Sequence, residues 1–149
     1  MTASKSPIIK ESREALSQTD YSQKYKNFFE SYLIRSIVLT DTDLSREELE
    51  DRLNELTITD PTLAEKTKKV CLALYDLTIA HQSNDYFEDL SNDFKYQQLE
   101  IIYYQALNAT LKGDQHRAND LFHKLISEDE SLYIVRKAKQ YLKDEGRHL

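Results

Sequence analysis

A chain of 149 residues with 40% apolar and 31% charged side chains suits one globular domain with a genuine core. Two glycines and two prolines are too few turn residues for a hairpin-rich β fold. The net charge of −6 disfavours general binding to nucleic acid, whose affinity rests on Lys and Arg neutralising phosphates, although a local basic surface stays open. The single cysteine, Cys71, has no partner for an intramolecular disulfide and sits in an apolar run, where it reads as a small buried hydrophobe in a reducing compartment. No stretch approaches the roughly 18 uninterrupted apolar residues of a membrane span. The polar first seven residues lack the apolar core of a secretory signal, so a cytoplasmic address is expected.

In chain order, residues 1–7 read as a loose tail and 8–19 as a short helix. Asp20 or Ser22 opens a helix to Leu39 whose apolar stripe comprises Tyr25, Phe28, Phe29, Tyr32, Leu33 and Ile37, with Ser36 in the same face. That stripe is expected to point inward. The short polar residues of 40–44 form a connector. Ser45 to Glu48 is a capping box that starts a helix to about Leu56, with Leu49, Leu53 and Leu56 on one face. Asp60-Pro61 is the next start signal, an N-cap followed by proline at the first helical position. One long helix to about His81 should follow, apolar on nearly every side in its second half and therefore central.

Asn84 is expected to cap a short helix through Phe94, burying Phe87, Leu90 and Phe94. A second central helix spans 99–111, Gly113-Asp114 makes a turn, and a helix with Ala118, Leu121, Phe122, Leu125 and Ile126 follows. Residues 128–131 are a polar joint. A last helix carries Tyr133 or Ile134, Ala138, Tyr141 and Leu142 inward and ends near Gly146. The expected fold is all-α, a single-domain bundle of about seven helices. The domain spans 8–149, with N-terminal helices over 8–60 and a stack of helical hairpins over 61–149.

Residues 99–132 resemble a tetratricopeptide repeat, a helix–turn–helix unit of about 34 residues. Ala106 falls where that family places a small residue in the first helix, and Ala118 with Phe122 matches its A-x3-F pair in the second. Ile102 stands in place of the usual tryptophan. Gln105, Ala109 and Glu130 depart from the expected leucine, tyrosine and closing proline. The resemblance covers one unit plus the helix after Tyr133, which would cap it. It implies a stack of antiparallel helix pairs with a groove for a protein partner.

Catalytic chemistry is thinly represented. His116, Asp120 and His123 share one helix face, yet no further Cys or His stands at ligand spacing, so a polar outer face is expected and no metal. His81 follows a core helix, where it can interact with the last carbonyls, and Asp76 and Asp85 read as solvated or capping carboxylates. The sequence has no G-x-S-x-G, no H-E-x-x-H and too few glycines for a phosphate-cradling loop. Neither a cofactor nor an enzymatic activity is expected.

Ten tyrosines are the compositional oddity. Helical spacing assigns Tyr75, Tyr103, Tyr104 and Tyr141 to the core or its edge, whereas Tyr25, Tyr32, Tyr86, Tyr96 and Tyr133 are candidates for a binding surface. The leading expectation is a non-enzymatic adaptor, chaperone or regulator that binds a peptide or protein through a helical groove formed by Tyr103, Gln105, Asn108 and Lys112. A homodimer is compatible with that reading. One alternative is a DNA-binding helix-turn-helix over 45–69, with Lys66, Lys68 and Lys69 at the phosphates, although its first helix is strongly acidic. Another is a small helical immunity or inhibitor protein. A membrane contact through the stretch 21–32 is a lesser option than an inward-facing helix.

Overall fold

The computed structural model describes residues 20–147, with the backbone alone at 20 and 21. The tail expected over 1–7 and the helix expected over 8–19 lie outside the described residues. Among the described residues six α-helices form: α1 Asp20–Thr40, α2 Arg46–Asn54, α3 Pro61–Tyr75, α4 Lys95–Leu111, α5 Gln115–Ile126 and α6 Tyr133–Asp144. No strand occurs among the described residues, so the all-α class stands; of the helices expected within them, the one over 84–94 does not form. The chain divides into two compact units, one through Leu72 and the other from Ala73.

In the first unit the capping signals act as their chemistry requires. Ser45 Oγ accepts the Glu48 N–H at 3.1 Å, and Asp60 Oδ1 accepts the N–H groups of Thr62 and Leu63 at 3.0 and 3.3 Å. Leu49 and Leu53 are buried as their spacing predicts. Cys71 is fully buried, and that burial pushes its thiol up to about 11, so it packs as a hydrophobe.

The orientation of α1 overturns the expectation from its sequence. Tyr25, Phe28, Phe29, Tyr32 and Leu33 are exposed, while Asn27, Ile34 and Val38 are buried. The reason is hydrogen bonding. Asn27 donates through Nδ2 to Thr59 Oγ1 and accepts the Thr59 N–H, at 3.0 and 3.2 Å. Ser31 and Thr67 hydroxyls meet at 2.6 Å, and the Glu30 carboxylate accepts from both the N–H and hydroxyl of Thr57. A polar stripe thus faces inward because each member finds a partner on the connector after α2 or on α3, a stabilisation that periodicity alone does not register.

In the second unit α3 ends in a π-helical turn, Asp76–Ala80, closed by His81 in the left-handed region at φ 54°. The expected contact of His81 with the helix end is made by its backbone, whose N–H donates to the Asp76 carbonyl. No helix forms over 84–94. Asn84 Oδ1 accepts the Tyr86 N–H and Asn92 Oδ1 accepts the Phe94 N–H, local side-chain bonds that compete with helix. Of the three expected anchors only Phe87 is buried; Leu90 and Phe94 are exposed. Helix α4 therefore begins at Lys95, four residues ahead of Leu99.

Helix α4 is the centre of this unit, buried without a break from Tyr103 to Ala109. Gly113 at φ 81° lets the chain reverse, with Asp114 N–H bonding back to the Ala109 carbonyl at 2.9 Å, the 6→1 bond of a Schellman motif. Asp114 then caps α5 by accepting the Arg117 N–H. Ala106 and Ala118 are fully buried, which lets the two helices pack closely, and Phe122 is fully buried beside them. Ile134, Val135, Ala138 and Leu142 of α6 complete the core, and Tyr133 points out.

Candidate functional site

One concave feature, on the second unit, is a groove of about 470 Å³ between α4 and α6, built from Tyr103, Tyr133, Arg136, Lys137, Gln140, Tyr141 and Asp144. Its position follows from helical spacing. The apolar positions Ile134, Val135, Ala138 and Leu142 turn inward, so 133, 136, 137, 140, 141 and 144 fall along the facing edge of the helix.

Tyr103 forms the floor, buried at 4% exposure, and Tyr133 forms the rim at 60%. The Tyr103 and Tyr141 rings belong to one aromatic cluster. Tyr141 stacks on Phe122 with centroids 5.5 Å apart, Tyr103 meets Tyr104 edge-on at 5.4 Å, and Tyr104 lies 5.0 Å from Phe87. Such packing holds the floor rigid. Burial pushes the Tyr103 and Tyr141 phenols above their ordinary range, so both rings stay neutral at physiological pH.

Lys137 gives the groove its charge. Its Nζ stands 5.5 Å from the Tyr103 ring centroid, a cation–π contact. Burial pushes its ammonium down, and the Glu100 charge opposes that shift. Arg136 is held at the rim by two bonds from Nη1, to the carbonyls of Glu130 at 2.9 Å and Ser131 at 2.8 Å. The groove lining carries two cations, Arg136 and Lys137, and one acid, Asp144, in a chain whose net charge is −6; Lys139 of the same helix pairs with Glu130. A locally basic, aromatic concavity favours a ligand with carboxylates and an apolar anchor.

Of the four residues expected to form a groove, Tyr103 lines this one and the other three meet elsewhere. Gln105 Nε2 donates to the Phe87 carbonyl at 2.7 Å, and Asn108 accepts the Asn84 N–H while donating to Glu88 at 2.7 Å. Lys112 Nζ pairs with Asp85 at 2.6 Å. These side chains fasten the 81–94 loop to α4. Arg117 joins them with a two-pronged bridge to the Glu88 carboxylate, at 3.1 and 2.8 Å.

The lysines of the DNA reading, Lys66, Lys68 and Lys69, are all exposed on α3 of the first unit, and Lys69 pairs with Glu65 at 3.0 Å. His116 and Asp120 sit on the exposed face of α5 with His116 Nε2 3.5 Å from the carboxylate, and His123 is exposed on the same helix. Among the described residues no group of three or more His, Cys, Asp or Glu is placed to hold a metal ion, and no helix is long and apolar enough to cross a membrane.

Sequence reasoning missed Arg136, Lys137, Gln140 and Asp144, and placed Tyr141 in the core or at its edge; it is half-buried. The available signal was the basic run of the last helix inside an acidic chain. Comparison with protein-family models, curated proteins and solved structures gives no match.

Proposed function

We propose that the protein is a non-enzymatic interaction module, an adaptor or regulator of the cytoplasm, that takes a peptide segment of a protein partner into the groove beside α6. The observation that carries this reading is the union of three tyrosines, Tyr103, Tyr133 and Tyr141, with Lys137 and Arg136 in one concavity of about 470 Å³. The aromatic floor accepts an apolar side chain, and the flanking cations accept a carboxylate two or three residues away. Tyrosine suits this task because it offers a large contact area at a low cost in side-chain entropy. The buried Ala106, Ala118 and Phe122 also support a tetratricopeptide-like reading of the α4–α5 hairpin, with α6 as its cap.

Fluorescence anisotropy with labelled peptides tests the reading. One set carries Asp and Glu around a central Leu or Phe, a second carries Lys in place of the acids, and a DNA duplex is the third probe. The acidic set should bind, and Tyr133→Ala or Lys137→Glu should each weaken binding by about tenfold or more. Acidic peptides that do not bind, or that bind both variants as well as the native chain, overturn the proposal. Salt-dependent capture of the duplex that is lost on Lys66→Ala, Lys68→Ala and Lys69→Ala would favour the DNA reading instead.

A further inference from the structure

The aromatic face of α1 lies in the first unit and takes no part in the groove. Tyr25, Phe28, Phe29, Tyr32 and Leu33 are 47–70% exposed and form one stripe along the helix, with the Tyr25 and Phe29 rings nearly parallel at 6.5 Å. Their spacing places them along about 12 Å of one side. The helix cannot roll to bury them, because its other side is fastened by Asn27 to Thr59, Ser31 to Thr67 and Glu30 to Thr57. A contiguous patch of this kind on a helix held by polar bonds marks an interaction surface.

We infer that this face is a self-complementary dimer interface, occupied by the same face of a second copy with the two α1 helices antiparallel. The area is adequate. Four rings of about 150–250 Å² each, a little over half exposed, together with Leu33 offer about 500 Å² per copy, hence about 1,000 Å² in total, the lower bound of a specific interface. Charge sets the direction. Lys24 and Lys26 both lie at the N-terminal end of the stripe, so parallel pairing gathers four lysines, whereas antiparallel pairing separates them and opposes the helix dipoles.

A two-fold axis near Phe29 brings Tyr25 against Leu33 of the second copy and Lys26 against its Tyr32 ring, a cation–π arrangement. Beside the stripe runs a groove of about 500 Å³ lined by Tyr25, Phe29, Leu33 and Thr57, among others, which receives Phe28 and Tyr32 of the second copy. An anionic membrane is a poorer occupant, because the chain carries a net charge of −6 and the stripe begins beside only two lysines.

Sedimentation equilibrium of the full chain from about 1 to 300 µM, with disulfide trapping, tests the inference. The native chain should show a monomer–dimer equilibrium, and Phe29→Glu or Tyr32→Glu should raise the dissociation constant by about 100-fold or more with unchanged circular dichroism. In a Cys71→Ala background, oxidised Phe29→Cys should link to itself, Tyr25→Cys alone should not, and Tyr25→Cys mixed with Leu33→Cys should. A chain that stays monomeric throughout, or a dimer that survives both glutamates, overturns the inference. So does Tyr25→Cys linking to itself, which demands parallel helices. Co-pelleting with phosphatidylserine vesicles by a monomer, lost on Phe29→Glu, would assign the face to a membrane and likewise overturn it.

Discussion

Glu88 shows how one side chain holds an irregular segment in place. Burial pushes its carboxyl up, but the hydrogen bonds from Arg117 and Asn108 and the charges of Arg117 and Lys112 outweigh that and hold it below the ordinary 4.5. A carboxylate whose pKa is lowered by folding stabilises the native state above the unfolded value, and that contribution is lost as the pH falls below 4.5. Glu88→Gln should therefore flatten the acid limb of the stability curve: urea unfolding near pH 7 should show a loss of about 1–3 kcal/mol, shrinking as the pH falls. An unchanged difference between native and variant across that range would show that the bridge is not the titrating contact. The segment 84–94 illustrates what periodicity misses at this scale. Its apolar spacing suits a helix, yet Asn84 and Asn92 satisfy local N–H groups, and Gln105 and Asn108 satisfy the loop from α4. Each bond is long-range or conformation-specific, so none is legible in a hydrophobic pattern.

At the scale of elements, helix starts and stops were the most legible part of the chain. Ser45, Asp60-Pro61 and Gly113-Asp114 all act where their chemistry places them, because a cap needs only its own neighbouring backbone. Gly113 is in the left-handed region at φ 81° and a Cβ there would meet nothing within 4 Å, so the whole penalty of a side chain is backbone strain. Gly113→Ala should cost about 1–2 kcal/mol and Gly113→Asn less, read as a shift in the urea midpoint at constant slope. Equal losses for alanine and asparagine would contradict the left-handed turn. Helix α1 shows the converse. Its sequence has an unmistakable apolar stripe, but the stripe says only that one side avoids water, not what covers it. In this fold the neighbours of α1 offer Thr57, Thr59 and Thr67, and the polar side docks.

Across the whole molecule, two compact units carry two different surfaces: an apolar aromatic face on α1 and a basic, tyrosine-lined groove beside α6. The second unit depends on Phe122, which is fully buried, packs against Tyr103 and Tyr141, and has the Arg147 guanidinium over its ring at 5.2 Å. Phe122→Ala should cost about 3–5 kcal/mol. Hydrogen exchange should show the loss of protection concentrated in 73–147 and weaker in 20–72. A uniform loss over both would mean that they unfold as one cooperative body.

By itself the sequence determined the helical class, the caps at Ser45 and Asp60, the turn at Gly113-Asp114, and most of the second unit's core, Ala106, Ala118, Phe122, Leu125 and Ala138 included. These are local matters, set by backbone chemistry and by the period of the apolar residues. Only the tertiary structure decided which face of α1 turns inward, why 84–94 stays irregular, and that Tyr103 joins Lys137 and Tyr141 in a groove while Gln105 and Asn108 serve the loop. The physical reason is that those outcomes depend on hydrogen-bond partners and packing surfaces tens of residues away, which a one-dimensional pattern does not bring together.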